Sequence, residues 1–123
     1  MRINQGQELV IGGFTAPRGS RTELGALLLG YYDGGQLRYA GKVGTGFDRD
    51  TLADLGRRLR ALARSRSPFA GSDAIREAGI TWVEPQLVAQ VAFTEWTTAG
   101  RLRHPRYLGL REDKSAEQVV RET

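Results

Sequence analysis

D-R-D-T-L-A-D-L-G-R-R-L-R-A-L-A-R, residues 48–64, is where the apolar period of the chain changes. Leu52, Leu55, Leu59 and Leu62 recur at three- and four-residue spacing, which puts them on one face of an amphipathic helix with Asp48 or Asp50 as N-cap. Segments on both sides of this helix follow a period of two, so the helix interrupts a run of strands.

Upstream, Q-E-L-V-I-G-G-F-T-A-P (7–17) is rich in β-formers and ends at Pro17, which cannot donate to a ladder. A-L-L-L-G-Y-Y-D (26–33) runs into D-G-G, a hairpin signal, and Q-L-R-Y-A-G-K-V-G-T-G-F (36–47) alternates back. Downstream, S-P-F-A-G opens an irregular stretch. A long strand then begins after Pro85, with Leu87, Ala89, Val91 and Phe93 on one face. T-A-G-R makes a turn, residues 102–111 return as a last strand, and S-A-E-Q from Ser115 is a capping box that opens a short helix. The predicted order is β-β-β-α-β-β-α. It describes a mainly β domain over residues 1–123, a five-stranded Greek-key OB-fold barrel with a helix between strands three and four and a short C-terminal helix. An SH3-like barrel or a small β-sandwich is the weaker alternative, because neither normally needs the helix.

Lysine and arginine number 18 against 14 acids, a formal charge of +4, and Lys42 and Lys114 are the only lysines. Arginine's planar fork suits phosphate better than a lysine point charge does, so this balance is compatible with a nucleic-acid or nucleotide partner. There is no cysteine, which excludes disulfides and thiolate metal sites. The N-terminus has no apolar signal core and no run reaches the roughly 18 apolar residues of a membrane helix, so an intracellular protein with no membrane partner is expected.

Nucleophilic catalysis is poorly supplied: the only histidine, His104, precedes a proline. G-T-G-F-D-R (44–49) lacks the third glycine of a dinucleotide loop and reads as a tight turn into the helix. Arg57, Arg58, Arg60, Arg64 and Arg66 lie opposite the helix leucines, as a solvated face or as phosphate contacts. Trp82 and Trp96 flank the long strand and are assigned to core packing rather than base stacking. The charges converge in R-H-P-R-Y-L-G-L-R-E-D-K (103–114), where a barrel of this size cannot bury Arg103, Arg106, Arg111 and Lys114 together. Spacing alone describes an anion-binding edge or a structural ion-pair cluster.

That segment resembles the last signature motif of ATP-dependent DNA ligases, specifically the bacterial ligase D type of non-homologous end joining. Q-E-L-V-I-G-G-F-T-A-P, G-K-V-G-T-G-F and W-V-E-P-Q-L-V-A-Q-V-A-F-T-E-W-T resemble blocks in the same order in that family's OB domain, so the resemblance covers Gln7 to Lys114. The K-x-D-G motif that carries the adenylated lysine is missing, since Lys42 is followed by V-G-T and Lys114 by S-A-E. The resemblance therefore implies the OB domain of a larger ligase, inactive alone, with Met1 the start of an excised piece.

Position by position, it implies that Arg103, Arg106, Arg111, Asp113 and Lys114 orient pyrophosphate during self-adenylation, Asp113 by orienting a neighbouring cation. The resemblance also implies that the domain lies along nicked double-stranded DNA without fixing the contact residues, for which Arg18, Arg21, Lys42, Arg57, Arg58 and Arg60 are the candidates. ATP with Mg or Mn is implied for the full ligase and no cofactor for this fragment. The implied partners are the ligase's own nucleotidyltransferase domain and a Ku-type end-binding protein, in a bacterial, nucleoid-associated cytoplasmic setting. A free-standing OB-fold nucleic-acid-binding module is the alternative that the barrel and charge also permit.

Overall fold

The computed structural model describes residues 5–17, 24–71, 75, 79–113 and 115–120. Five strands carry the architecture: β1 (Gln5–Thr15), β2 (Leu27–Asp33), β3 (Gln36–Val43), β6 (Val88–Phe93) and β9 (Arg106–Arg111). Shorter strands β4 (Ala63–Arg64), β5 (Ile80–Val83), β7 (Glu95–Trp96) and β8 (Leu102–Arg103) complete the set, and the helix α1 spans Arg49–Ala61 between β3 and β4.

All pairings are antiparallel. Along the five long strands the order is β3-β2-β1-β6-β9, and β1 is central because its first half pairs with β6 and its second half with β5. Register slips at Gly12, between Ile11 and Gly13, and this bulge turns β1 from one neighbour to the next. The ladder is open between β3 and β9. There the Tyr107 N–H donates to the Thr45 carbonyl at 3.0 Å, carrying the loop after β3 onto the motif strand.

The helix follows the leucine pattern. Leu55 and Leu59 are buried, and Leu52 and Leu62 pack at the margin of the same core. Asp48 is the N-cap, its carboxylate accepting the Thr51 N–H at 2.7 Å, which holds its pKa below the usual carboxylate value. Inside, α1 closes over Leu9, Ile11, Leu27, Leu29, Val91 and Phe93.

A second apolar cluster lies on the opposite face of the sheet, where Val10, Leu28, Leu37 and Val88 meet Phe69, Ala116 and Val119. Gly12 and Gly30 make room for the Phe69 ring: a Cβ on either would stand 2.5–2.6 Å from its carbons. The S-P-F-A-G stretch is thus an ordered cover for this face. The short C-terminal helix is a 3-10 turn, Ala116–Gln118, after which the Val119 carbonyl accepts the Tyr32 N–H at 2.8 Å.

Two expected strands are broken. The long strand after Pro85 ends at Phe93 and resumes as β7, and residues 102–111 divide into β8 and β9. The second break follows from Pro105, which has no N–H to give a ladder, and from His104, which adopts φ +54. β7 and β8 form their own hairpin, pinned to β3 by Arg101, whose Nη1 donates to the Tyr39 carbonyl at 3.1 Å while its guanidinium sits 4.8 Å from the Tyr39 ring centre. Trp82 and Trp96 pack on the two cores as expected, Trp96 edge-on to Phe93 and Tyr31. No described helix is long and apolar enough to cross a membrane.

Candidate anion-binding edge

A bulge at Leu108 interrupts the alternation of β9 and decides which groups of the motif reach solvent. Tyr107 and Leu110 point into the core, whereas Arg106 and Leu108 are exposed. Arg111 ends the strand opposite Val88, whose side chain belongs to the outer cluster.

Arg111 is the most heavily bonded cation among the described residues of the motif. Its Nε and Nη2 donate to the two carboxylate oxygens of Asp113, each at 3.0 Å, a bidentate fork. Its Nη1 donates to Glu8 Oε2 at 2.6 Å and to Gln90 Oε1 at 2.9 Å. Hydrogen bonding to Asp113, followed by that carboxylate's charge, raises the guanidinium pKa further above its ordinary value. Beside it lies a cleft of about 190 Å³ lined by Gln86, Leu87, Val88, Leu110, Arg111 and Glu112, smaller than the roughly 300–1,000 Å³ that encloses a small-molecule ligand.

The other motif residues are dispersed. Arg103 sits on the β7–β8 hairpin in an ion pair with Glu95 at 2.8 Å. Arg106 is exposed at the start of β9 and makes no ion pair among the described residues. Lys114 lies outside the described residues, as do Arg18 and Arg21. Of the remaining basic candidates, Lys42 is exposed on β3 and Arg60 on α1. Arg57 and Arg58 both pair with Asp54, and Arg58 also reaches Glu112 at 3.8 Å, which brings the helix beside the end of the motif. Glu8 and Gln90 escaped the sequence reading. The only available signal was that each alternates outward on its strand, and their facing register is not written locally. Among the described residues no group of three or more His, Asp or Glu side chains could hold a metal ion.

Tyr107 underpins this edge, its ring 4.9 Å from that of Phe47. Burial, and secondarily the charge of Asp54, push its hydroxyl pKa up to about 12. The folded state therefore favours the neutral phenol. Stability from this source is fully present below the ordinary tyrosine pKa of about 10 and is lost as pH rises from there to about 12. Denaturation midpoints measured across that range should fall less steeply for Tyr107→Phe than for the parent chain. Equal slopes would mean that another group causes the alkaline loss.

The family model for the ATP dependent DNA ligase C terminal region matches residues 20–114, more than half of the chain. This chain belongs to that ligase family. Among curated relatives, the ligase C-terminal region resembles the multifunctional non-homologous end joining protein LigD of Mycobacterium bovis at 48% identity over 118 residues, covering 94% of this chain and 16% of that protein. LigD of Pseudomonas aeruginosa is 46% identical over 120 residues, covering 94% of this chain and 14% of the relative. The chain therefore spans about one-sixth of the length of the curated relatives it matches. Among solved structures, the ligase domain of M. tuberculosis LigD superposes with TM-score 0.87 at 44% identity, over 97% of this chain and 39% of that one. A mycobacterial DNA ligase D solved in complex with ATP gives TM-score 0.81, also at 44% identity, over 97% of this chain and 38% of that one.

Proposed function

We propose that this domain is the OB-fold part of an ATP-dependent end-joining ligase, which closes over a nucleotidyltransferase domain to assist self-adenylation and then turns to clasp nicked duplex DNA. β1, β2, β3, β6 and β9 are the five strands of the barrel. The observation that carries the reading is Arg111, held at the end of β9 with its guanidinium edge presented to a carboxylate.

In self-adenylation a lysine nitrogen attacks the α-phosphorus of ATP, and the bond to the bridging oxygen breaks. Negative charge accumulates on the departing pyrophosphate, and fixed N–H donors aimed there lower the barrier. Arg111 supplies such donors, and a planar fork that donates to the two oxygens of Asp113 also fits two phosphate oxygens. Asp113 orients Arg111 until the phosphate is met, while Arg103, Arg106 and Lys114 add positive charge along the same motif. The small cleft beside Arg111 fits a surface that meets polyphosphate held by another domain better than a nucleotide pocket of its own. Mg or Mn accompanies the nucleotide in the whole ligase. We assign that metal to the nucleotidyltransferase domain.

For DNA, the candidates are Lys42 and Arg60, exposed on β3 and α1, Arg57 and Arg58, which exchange Asp54 for phosphate, and Arg18 and Arg21. We assign the whole ligase a bacterial, nucleoid-associated setting with a Ku-type partner, and expect the isolated domain, lacking the K-x-D-G lysine, to be inactive.

The test is covalent AMP labelling from ATP by a nucleotidyltransferase domain with and without this domain attached. Labelling should drop to near background when it is removed. Undiminished labelling would reject the adenylation role and leave only DNA clasping.

A further inference from the structure

Arg111 is anchored from two sides by groups of different character. Asp113 follows the strand in an exposed turn, its side chain 70% accessible, and covers the Nε/Nη2 edge. Glu8 lies in the middle of β1 with its side chain only 16% accessible, and Gln90 faces it directly in the β1–β6 register. Both take the opposite end of the guanidinium, Nη1, at 2.6 and 2.9 Å. The arginine side chain thus lies across the outer face of the sheet, from β9 over β6 to β1.

Carboxylates already occupy both ends of the guanidinium, and they oppose the approach of an anion. For Arg111 to meet phosphate, one carboxylate must leave, and accessibility decides which. Asp113 stands in an exposed turn open to water, whereas Glu8 sits on a paired strand and would abandon a short charge-assisted bond in a partly buried place. Departure of Asp113 exposes a complete bidentate edge and leaves Nη1 fixed.

We infer that Glu8 and Gln90 are positioning residues for adenylation: they hold the Nη1 end of Arg111 to the sheet so that its Nε/Nη2 edge stays aimed at the pyrophosphate once Asp113 gives way. This inference rests on the function proposed above. Glu8 touches no substrate and acts only through Arg111. The negative charge is not what the geometry requires, because a glutamine carbonyl at position 8 accepts the same N–H. The test uses the two-domain ligase and measures two steps separately, self-adenylation from ATP and sealing of a nick that already carries AMP.

Glu8→Ala should slow adenylation about tenfold, the size expected for losing a charge-assisted bond, and change sealing less than twofold. Glu8→Gln should restore most of the adenylation rate. In an Arg111→Ala background, Glu8→Ala should add nothing, since the effect passes through a side chain already gone. A Glu8 that merely stabilises the barrel would slow both steps, and its effect would multiply with that of Arg111→Ala; either result overturns the inference. Should Glu8→Ala fold poorly, the better-tolerated Glu8→Gln and Gln90→Ala carry the comparison, and additivity of Gln90→Ala with Arg111→Ala is equally decisive. If Arg111→Ala slows adenylation while the Glu8 and Gln90 variants do not, the positioning role alone fails. If Arg111→Ala leaves adenylation intact, the functional reading itself fails.

Discussion

Arg111→Ala in the assembled ligase is expected to lower covalent AMP transfer from ATP on the order of a hundredfold, the loss typical of removing one preorganised donor from developing charge. Sealing of pre-adenylated DNA should change far less, because no pyrophosphate leaves in that step. The side chain spans three strands through Glu8, Gln90 and Asp113, so its removal also leaves two carboxylates facing each other without their shared cation. Arg111→Lys separates the two consequences. A lysine keeps the positive charge but lacks the planar fork, so it should recover stability while recovering little of the adenylation rate. Equal loss of adenylation and sealing in Arg111→Ala would remove the case for a role at the leaving group.

The second large effect is expected at Gly46, on the loop between β3 and α1. Its φ is +95, and a Cβ there would stand 2.3 Å from the Tyr107 carbonyl oxygen and 2.8 Å from the Tyr107 nitrogen. Gly46→Ala must therefore strain its own backbone and push the loop off β9, breaking the bond from Tyr107 to Thr45 that joins the two open edges of the sheet. We expect a loss of about 3 kcal/mol or more, in the range reserved for overpacking and disallowed backbone. Gly34→Ala is the control. Gly34 has φ +61 in the β2–β3 turn with open space around it, so alanine there meets only the conformational cost of about 1–2 kcal/mol. Chemical denaturation of the two variants isolates the contact; similar losses would mean that the loop does not press on β9.

Local signals told the truth where structure is local. Four leucines at helical spacing and an aspartate before them gave α1 and its cap, and D-G-G gave the β2–β3 hairpin with its ends nearly in place. Alternation misled where two adjacent residues overrode it. Residues 102–111 alternate well enough for one strand, yet Pro105 and the left-handed His104 cut it in two. The ordered role of Phe69 was illegible because it depends on two glycines in other strands, distant in sequence, that leave room for its ring. The candidate site divides in the same way. Arg111 and Asp113 are two positions apart and their pairing follows from the motif, whereas Glu8 joins them across 103 positions only after β1 has found β6. Arg103 stands close to Arg106 in sequence but was separated from it by the hairpin.

The central place of β1 also has a consequence for how the chain folds. Gln5 faces Phe93 across the β1–β6 ladder, and the Gln7 side chain donates to the Val120 carbonyl, a contact spanning 113 positions. β1 therefore waits for β6, which begins only at Val88, before its ladder partner on that side exists. Loop-closure entropy must be met before such distant contacts contribute, which places the domain among slow folders, in the range of about milliseconds to seconds. Until β6 arrives, that edge of β1 is an open template for pairing with another chain, and the charged Glu8 at its middle is the residue that discourages it.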